Sequence, residues 1–246
     1  MSEPRVIWYS HKELNDPIAV VGFPSVGLVS SIVTSYVARD LELEATAGIA
    51  WSEFPPYTLV QNSRPLPPVR IFAGPVSGVK TRGSRKNDVV IVTSEMAPKP
   101  EQTDGLTTEL MGALNEMGVR EILCIEGIPG TDPTTQLMGV GSTEAMRRKL
   151  ADARIPVMQE GLVRGVTGVM LYEGAAEGMD VSCLLCPANP QLPDPGAAAG
   201  LVEPLMALIP GLKIDTKPLL AEADAIEKKM REQQAQESAG PGNIYG

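Results

Sequence analysis

Apolar segments of strand length alternate along the chain with segments whose apolar residues recur every three to four positions. Residues 18–23 ("IAVVGF") predict a buried strand, and residues 26–41 predict a helix with one apolar face. The β-branched run at residues 88–94 ("DVVIVTS") predicts another strand. This alternation is typical of an α/β domain with a largely parallel sheet.

The same reading continues to the end of the chain. We expect strands at residues 120–128, 155–158 and 180–187, and helices at residues 104–117, 143–153, 165–179 and 193–208. A last helix should begin near Asp215 or Thr216, either of which can cap it. The proline-rich residues 52–68 predict a loop or hairpin, and residues 129–142 predict a loop.

The organisation of the chain is simple. Its 246 residues, 43% of them hydrophobic, suffice for one large α/β core, and neither an internal repeat nor an interdomain linker is visible. From about Gln233 the sequence becomes polar, with glycine and proline, and cannot form a core. We therefore predict one domain over residues 1–235 and a flexible tail over residues 236–246.

Charge and hydropathy exclude several classes of protein. A net charge of −9, with no long basic stretch, argues against nucleic-acid binding, which needs a basic face. No run approaches the eighteen or so apolar residues of a spanning helix, and the first residues lack the pattern of a signal peptide. We expect a soluble, cytoplasmic protein without membrane contact.

The three cysteines do not suggest redox or metal chemistry. Cys183 and Cys186 form a C-x-x-C pair, but they lie in an apolar run that predicts a buried strand, where residues three apart face opposite sides. Zinc would need further ligands, and His11 is far away in sequence. We interpret these residues and Cys124 as buried small hydrophobes and expect no metal and no cofactor.

Two candidate ligand groups fall at the ends of predicted strands. Gly22 and Gly27 have the G-x-x-x-x-G spacing of a phosphate loop, but Leu28 and Val29 stand where Lys and Ser or Thr are needed, so a tight strand-to-helix turn is favoured over an anion site. Glu95 and Glu126 each end a strand, at the edge where open α/β sheets bind ligands. No nucleophile–base pair accompanies them, so no catalytic residue is predicted.

The tip of the tail, "GPGNIYG", is unusual for a polar chain end. It presents Ile244, Tyr245, Gly246 and the terminal carboxylate. Taken alone, this apolar pair is either a docking motif or a ragged end without a role.

The chain resembles the PAC2 family of proteasome assembly chaperones and their archaeal homologues. The resemblance covers roughly residues 15–232 and rests on three segments in order: "AVVGFPSVGLVSSIVTSYV", "EGLVRGVTGVMLYEGAAEGMDVSCLLCPA" and "PDPGAAAGLVEPLMALIPGLKIDTKPLLAEADAIEKKM". It implies a three-layer αβα fold, like that of nucleoside phosphorylases without their catalytic residues. It also implies homo-oligomers that bind α-subunits of the 20S proteasome.

In this context the tail matches a motif of proteasome chaperones and activators. Ile244, Tyr245 and Gly246 match their hydrophobic–tyrosine–any (HbYX) motif, whose side chains enter a groove between α-subunits while the carboxylate meets a lysine. The resemblance therefore implies a non-enzymatic, ATP-independent assembly chaperone. Two alternatives remain: an activator of the mature 20S particle, and a small-molecule enzyme using the cleft around Glu95 and Glu126.

Overall fold

The chain forms an α/β structure with one large sheet. The computed structural model describes residues 3–76, 87–130 and 135–221, so the tail tip lies outside the described residues and the predicted domain boundary stays a prediction. The strands are β1 (Arg5–Trp8), β2 (Ile18–Gly22), β3 (Glu44–Ala50), β4 (Leu59–Gln61), β5 (Arg64–Leu66), β6 (Val69–Pro75), β7 (Asp88–Ser94), β8 (Glu121–Pro129), β9 (Met138–Gly141) and β10 (Asp180–Ala188). The α-helices that lie wholly within the described ranges are α1 (Val29–Asp40), α2 (Pro100–Glu116), α3 (Glu144–Asp152), α4 (Gly165–Glu177), α5 (Pro195–Gly200) and α6 (Val202–Leu208), and residues 217–221 are also helical.

Eight of these strands form the sheet in the order β1-β3-β6-β7-β2-β8-β10-β9, and β4 and β5 form a separate hairpin. The central strands β7, β2, β8 and β10 run parallel, whereas the flanking strands pair antiparallel. The central parallel strands therefore end at one edge, which we call the carboxyl edge. The strand β3 also ends there, because it is antiparallel to β6, which is antiparallel to β7.

Helices cover both faces of the sheet. Alternate residues of the central strands pack against α1, α5, α6 and Leu150 of α3 on one face, and against α2 and α4 on the other. Because β2, for example, alternates Ala19 and Val21 with Ile18 and Val20 between these two cores, its sequence is apolar throughout. The predicted α/β class and αβα layering are confirmed.

Several element bounds differ from the prediction for local reasons. The helix α2 begins at Pro100 rather than near Asp104, since Pro suits the first helical position and Gln102 accepts from the Lys99 N–H. The predicted helix at 193–208 is divided into α5 and α6, because Pro204 has no N–H to donate to Gly200. The strand β1 was not predicted.

The segment predicted as a loop at residues 129–142 contains the strand β9. Glycine has low strand propensity, so the sequence of β9 does not indicate a strand. The glycines are needed for packing, because a Cβ on Gly139 would lie 2.7 Å from the Leu150 side chain. This close approach brings α3 against the sheet edge. The predicted strand at residues 155–158 is reduced to one bridge between Val157 and Gly139. Within the described ranges no helix combines the length and apolarity needed to cross a bilayer.

Candidate functional site at the carboxyl edge

The turn after β2 is built from glycines that allow close packing. A Cβ on Gly22 would lie 2.6 Å from the carbonyl oxygen of Ser30 in α1, so only glycine lets the strand and helix approach this closely. Gly27 has φ +64°, and its Cβ would lie 2.8 Å from that of Ala188. Both predicted glycines thus have a structural role in a tight strand-to-helix turn.

Neighbouring strand ends hold this turn in place. The Gly127 N–H donates to Ser25 Oγ at 2.9 Å, and a Cβ on Gly127 would lie 2.0 Å from the Val26 carbonyl oxygen. On the other side, the Asp194 N–H donates to the Gly27 carbonyl at 2.8 Å. The turn therefore packs directly against the ends of β8 and β10.

Glu126 lies on the face covered by α2 and α4. Thr167 of α4 donates its hydroxyl hydrogen to Glu126 Oε1 at 2.6 Å. Burial raises the pKa of Glu126 to about 7, an effect that the hydrogen bond from Thr167 opposes. Burial, and secondarily the charge of Glu126, also raises the pKa of the Cys124 thiol, which keeps this cysteine protonated and unreactive.

Glu95 has a different environment at the same edge. It forms an ion pair with Arg70 of β6, whose side chain is only 8% exposed, while that of Glu95 is 40% exposed. Arg70 Nη1 also donates to Gln61 Oε1 of β4 at 3.1 Å, and its guanidinium lies 5.8 Å from the Phe72 ring centroid. Arg70 thereby connects the β4–β5 hairpin to the sheet.

The two carboxylates lie on opposite faces of the sheet. Thr93 and Cys124 align with consecutive residues of β2, so Glu95 and Glu126 reach the same level on strands that β2 separates. Glu126 shares the side of Cys124, whereas Glu95 follows the alternation of Thr93, which accepts a hydrogen bond from Thr34 of α1. Each carboxylate therefore has its own partner, and the two do not form an acid–base pair.

Sequence reasoning missed Arg70 and Thr167. Arg70 is the single charged residue in the otherwise apolar strand "VRIFAGP", a pattern that indicates either an edge position or a buried ion pair. Thr167 had no such signal, because a threonine near the start of a helix is commonplace. Both residues determine the electrostatics of the predicted carboxylates.

The cysteines occupy the positions predicted for buried small hydrophobes. Cys124, Cys183 and Cys186 are buried free thiols, and Cys183 and Cys186 pack into opposite cores. Burial, reinforced by the charge of Asp194, raises the pKa of Cys186 to about 11. No three His, Cys, Asp or Glu residues in the described ranges are placed to hold a metal ion.

The carboxyl edge also exposes apolar side chains. Four large ones, on the segments that follow β2, β3 and β10 and precede α4, are more than a third exposed; we call them the apolar rim: Leu28, Tyr57, Leu162 and Leu192. Beside Tyr57, a groove of about 510 Å³ is lined by Trp51, Phe54 and four prolines. Such a surface suits contact with another protein more than recognition of a small polar ligand.

Comparisons with known proteins agree with this architecture. Pyrococcus furiosus PbaA, described as an archaeal homolog of proteasome-assembly chaperone, superposes with a TM-score of 0.77 at 25% identity, covering 97% of this chain and 100% of its own. P. furiosus PbaB, described as an archaeal proteasome activator, has the same fold, with a TM-score of 0.79 at 22% identity over 95% of this chain and 100% of its own.

An uncharacterised protein of Methanocaldococcus jannaschii is 26% identical over 220 residues, which cover 89% of this chain and 86% of that protein. The model of the PAC2 family matches residues 19–234.

Proposed function

Since the chain belongs to the PAC2 family, we propose that it is a non-enzymatic chaperone that assists assembly of the 20S proteasome by binding its α-subunits. The similarity to PbaA, which extends over nearly the whole of both chains, supports a proteasome-related role. The observation that carries the proposal is the sequence at the end of this PAC2 chain, where Ile244, Tyr245 and Gly246 match the hydrophobic–tyrosine–any motif.

The chemistry of this tip suits capture between α-subunits. Tyr245 supplies a large, rigid contact area with a hydroxyl, as binding hot spots commonly do, and the terminal carboxylate can pair with a pocket lysine. Residues 236–246 would span at most about 36 Å when extended, at about 3.3 Å per residue. The apolar rim supplies additional area for contact by the folded part of the chain.

A single tail would bind weakly, because ordering it costs conformational entropy. We infer that the chain acts as a homo-oligomer in the cytoplasm, with several tails engaging one α-ring. Linking the tails makes each later docking event intramolecular, which raises the overall affinity without new contacts.

Deletion of Ile244, Tyr245 and Gly246 tests the proposal. We expect binding of the full chain to the cognate 20S particle and to free α-subunits to weaken at least about tenfold, as for loss of one hot spot. Tyr245→Ala should reproduce most of the loss, and one alanine appended after Gly246, which moves the carboxylate, should reproduce part of it. Asn243→Ala, outside the motif, is the matched control.

The outcomes separate three cases. Unchanged binding after the deletion refutes docking of the tail, and absence of any binding by the wild-type chain refutes the proteasome role altogether. Faster peptide hydrolysis by the mature 20S particle, lost on deletion, identifies the chain as an activator instead.

A further inference from the structure

The charged residues of α2 and α4 are all acidic. Neither helix contains a lysine, arginine or histidine, but together they carry six carboxylates: Glu101, Asp104, Glu109, Glu116, Glu173 and Glu177. Glu109 accepts a hydrogen bond from the Val6 N–H at 3.0 Å. None of the six forms an ion pair among the described residues. The two helices therefore give their face of the sheet a negative field with no compensating basic residue within either helix, and Lys99 and Arg164 stand at their N-caps.

The opposite face is different. There α3 has three basic residues, and its Glu144 pairs with Arg147 and Arg148, while Lys149 pairs with Glu121. The charge of the α2–α4 face is thus a local property and not merely the consequence of a net charge of −9.

A groove of about 340 Å³ runs between the two helices. Met111, Val169 and Met179 provide its apolar lining, and Glu173 and Glu177, one helical turn apart, lie along one side. Gly112 keeps the other side open, because a Cβ there would meet nothing within 4 Å. The groove therefore combines an adaptable apolar floor with a pair of carboxylates on one side.

The negative charge of α2 and α4 also affects the neighbouring residue Tyr172. Its side chain is 55% exposed, and partial loss of solvent, together with the charges of Asp104 and Glu173, raises its pKa. An exposed tyrosine beside an apolar groove is a common element of protein-binding surfaces.

Two simpler occupants fit poorly. The carboxylates are too dispersed for a metal ion, since the described residues contain no cluster that could ligate one. A second copy bound about a twofold axis would place this acidic face against itself, and like charges would meet. The occupant should instead be cationic and elongated, with apolar side chains spaced to enter the groove.

We propose that the α2–α4 groove binds a basic amphipathic helix of a partner protein. Its apolar side chains, spaced at i, i+3, i+4 and i+7, contact Met111, Val169 and Met179, and its lysines or arginines pair with Glu173 and Glu177. This surface lies between the C-terminal halves of α2 and α4, away from the carboxyl edge, so its test is independent of the proteasome-binding proposal.

A fluorescent helical peptide of about 15 residues, with leucine on one face and lysine on the other, is a direct probe. Anisotropy with the full chain should show saturable binding that weakens with added salt. Glu173→Gln/Glu177→Gln should weaken binding about tenfold, for two partly exposed ion pairs. The exposed pair Asp152→Asn/Glu203→Gln, which removes the same charge on the opposite face, should leave binding unchanged.

Filling the groove provides a second test that keeps every charge. Gly112→Leu should abolish binding, and it should not endanger the fold, because the site is open and leucine is the better helix former. Gly200→Leu, at the other helical glycine whose Cβ would meet nothing within 4 Å and whose φ is ordinary, is the matched control. Thermal unfolding of each variant confirms that the protein remains folded.

Four results would overturn the proposal. If a peptide with glutamate in place of lysine binds equally well, charge does not contribute to recognition. If a peptide with serine in place of leucine binds equally well, the apolar groove does not contribute. If the charge variants on the opposite face weaken peptide binding as much as Glu173→Gln/Glu177→Gln, the interaction depends on net charge alone. Salt-dependent self-association in sedimentation, lost in Gly112→Leu, would assign the groove to a second copy.

Discussion

Glu95, which follows β7, and Glu126 of β8 lie at the same edge of the sheet on either side of β2, yet their environments are opposite. Glu95 is 40% exposed and neutralises an almost buried arginine. Glu126 is withdrawn from solvent on the other face, where its hydrogen-bond partner among the described residues is the neutral hydroxyl of Thr167. The charge of Glu95 stabilises the fold, whereas the charge of Glu126 destabilises it because that carboxylate is buried. Residue type and strand position alone therefore do not identify a site.

Replacing Glu126 should give the largest effect and the clearest pH dependence. The folded-state pKa of Glu126, about 7, lies above its ordinary 4.5, so the folded protein binds more protons between these values. Wild-type stability therefore falls as pH rises from about 4.5 to about 7. Glu126→Gln keeps an acceptor for Thr167 and carries no charge. We expect it to raise the free energy of unfolding by up to about 3 kcal/mol at about pH 8, relative to its effect near pH 4.5.

Urea denaturation of the full chain at the two pH values measures this difference. The comparison is internal to each protein, so any pH-independent effect of the amide cancels. An equal effect of Glu126→Gln at both pH values would show that burial does not penalise the charge.

Removing Glu95 should act in the opposite direction. Glu95→Leu leaves the guanidinium of Arg70 without its counter-ion while 8% of that side chain is exposed. We expect a loss of about 2 kcal/mol, less than for a fully buried pair because Glu95 is partly solvated. The double variant Arg70→Met/Glu95→Leu removes both charges and should recover much of the loss.

A double-mutant cycle by urea denaturation separates the pair from the individual residues. If the double variant is less stable than Glu95→Leu, packing of the Arg70 side chain, rather than its charge, holds the hairpin to the sheet.

The smallest effect is expected for Thr167→Val, which preserves shape and removes the hydroxyl donor to Glu126. The lost hydrogen bond should cost about 1 kcal/mol. Since that bond lowers the pKa of Glu126, its removal should raise the pKa further above its ordinary value. Carbon-13 NMR titration of the Glu126 carboxyl group follows the midpoint, and an unchanged midpoint would mean that burial alone sets it.

Much of this architecture was predictable from the sequence. Long apolar segments indicate the strands β2, β7 and β10, and an apolar stripe indicates the helix α1. The strand β9 was not predictable, because its glycines have low strand propensity and instead allow the close approach of α3. The break between α5 and α6 follows from one residue, Pro204, which lies within an otherwise helical pattern.

The candidate site was less predictable for a physical reason. Sequence places Glu95 and Glu126 at strand ends, but which face each side chain occupies depends on register, and its pKa depends on neighbours distant in sequence. Arg70 and Thr167 are 25 and 41 residues from the carboxylates that they contact. The acidic α2–α4 groove likewise arises only when two helices, each unremarkable alone, become neighbours.

The central position of β2 has a consequence for how the chain is made. This early strand pairs with β7 and β8, and the turn that follows it is fixed by Ser25 and Gly127, which are 102 residues apart. A ribosome therefore releases the apolar residues of β2 long before either neighbouring strand exists. During that interval β2 has no strand to pair with, so the centre of the sheet cannot form until about half of the protein has been synthesised.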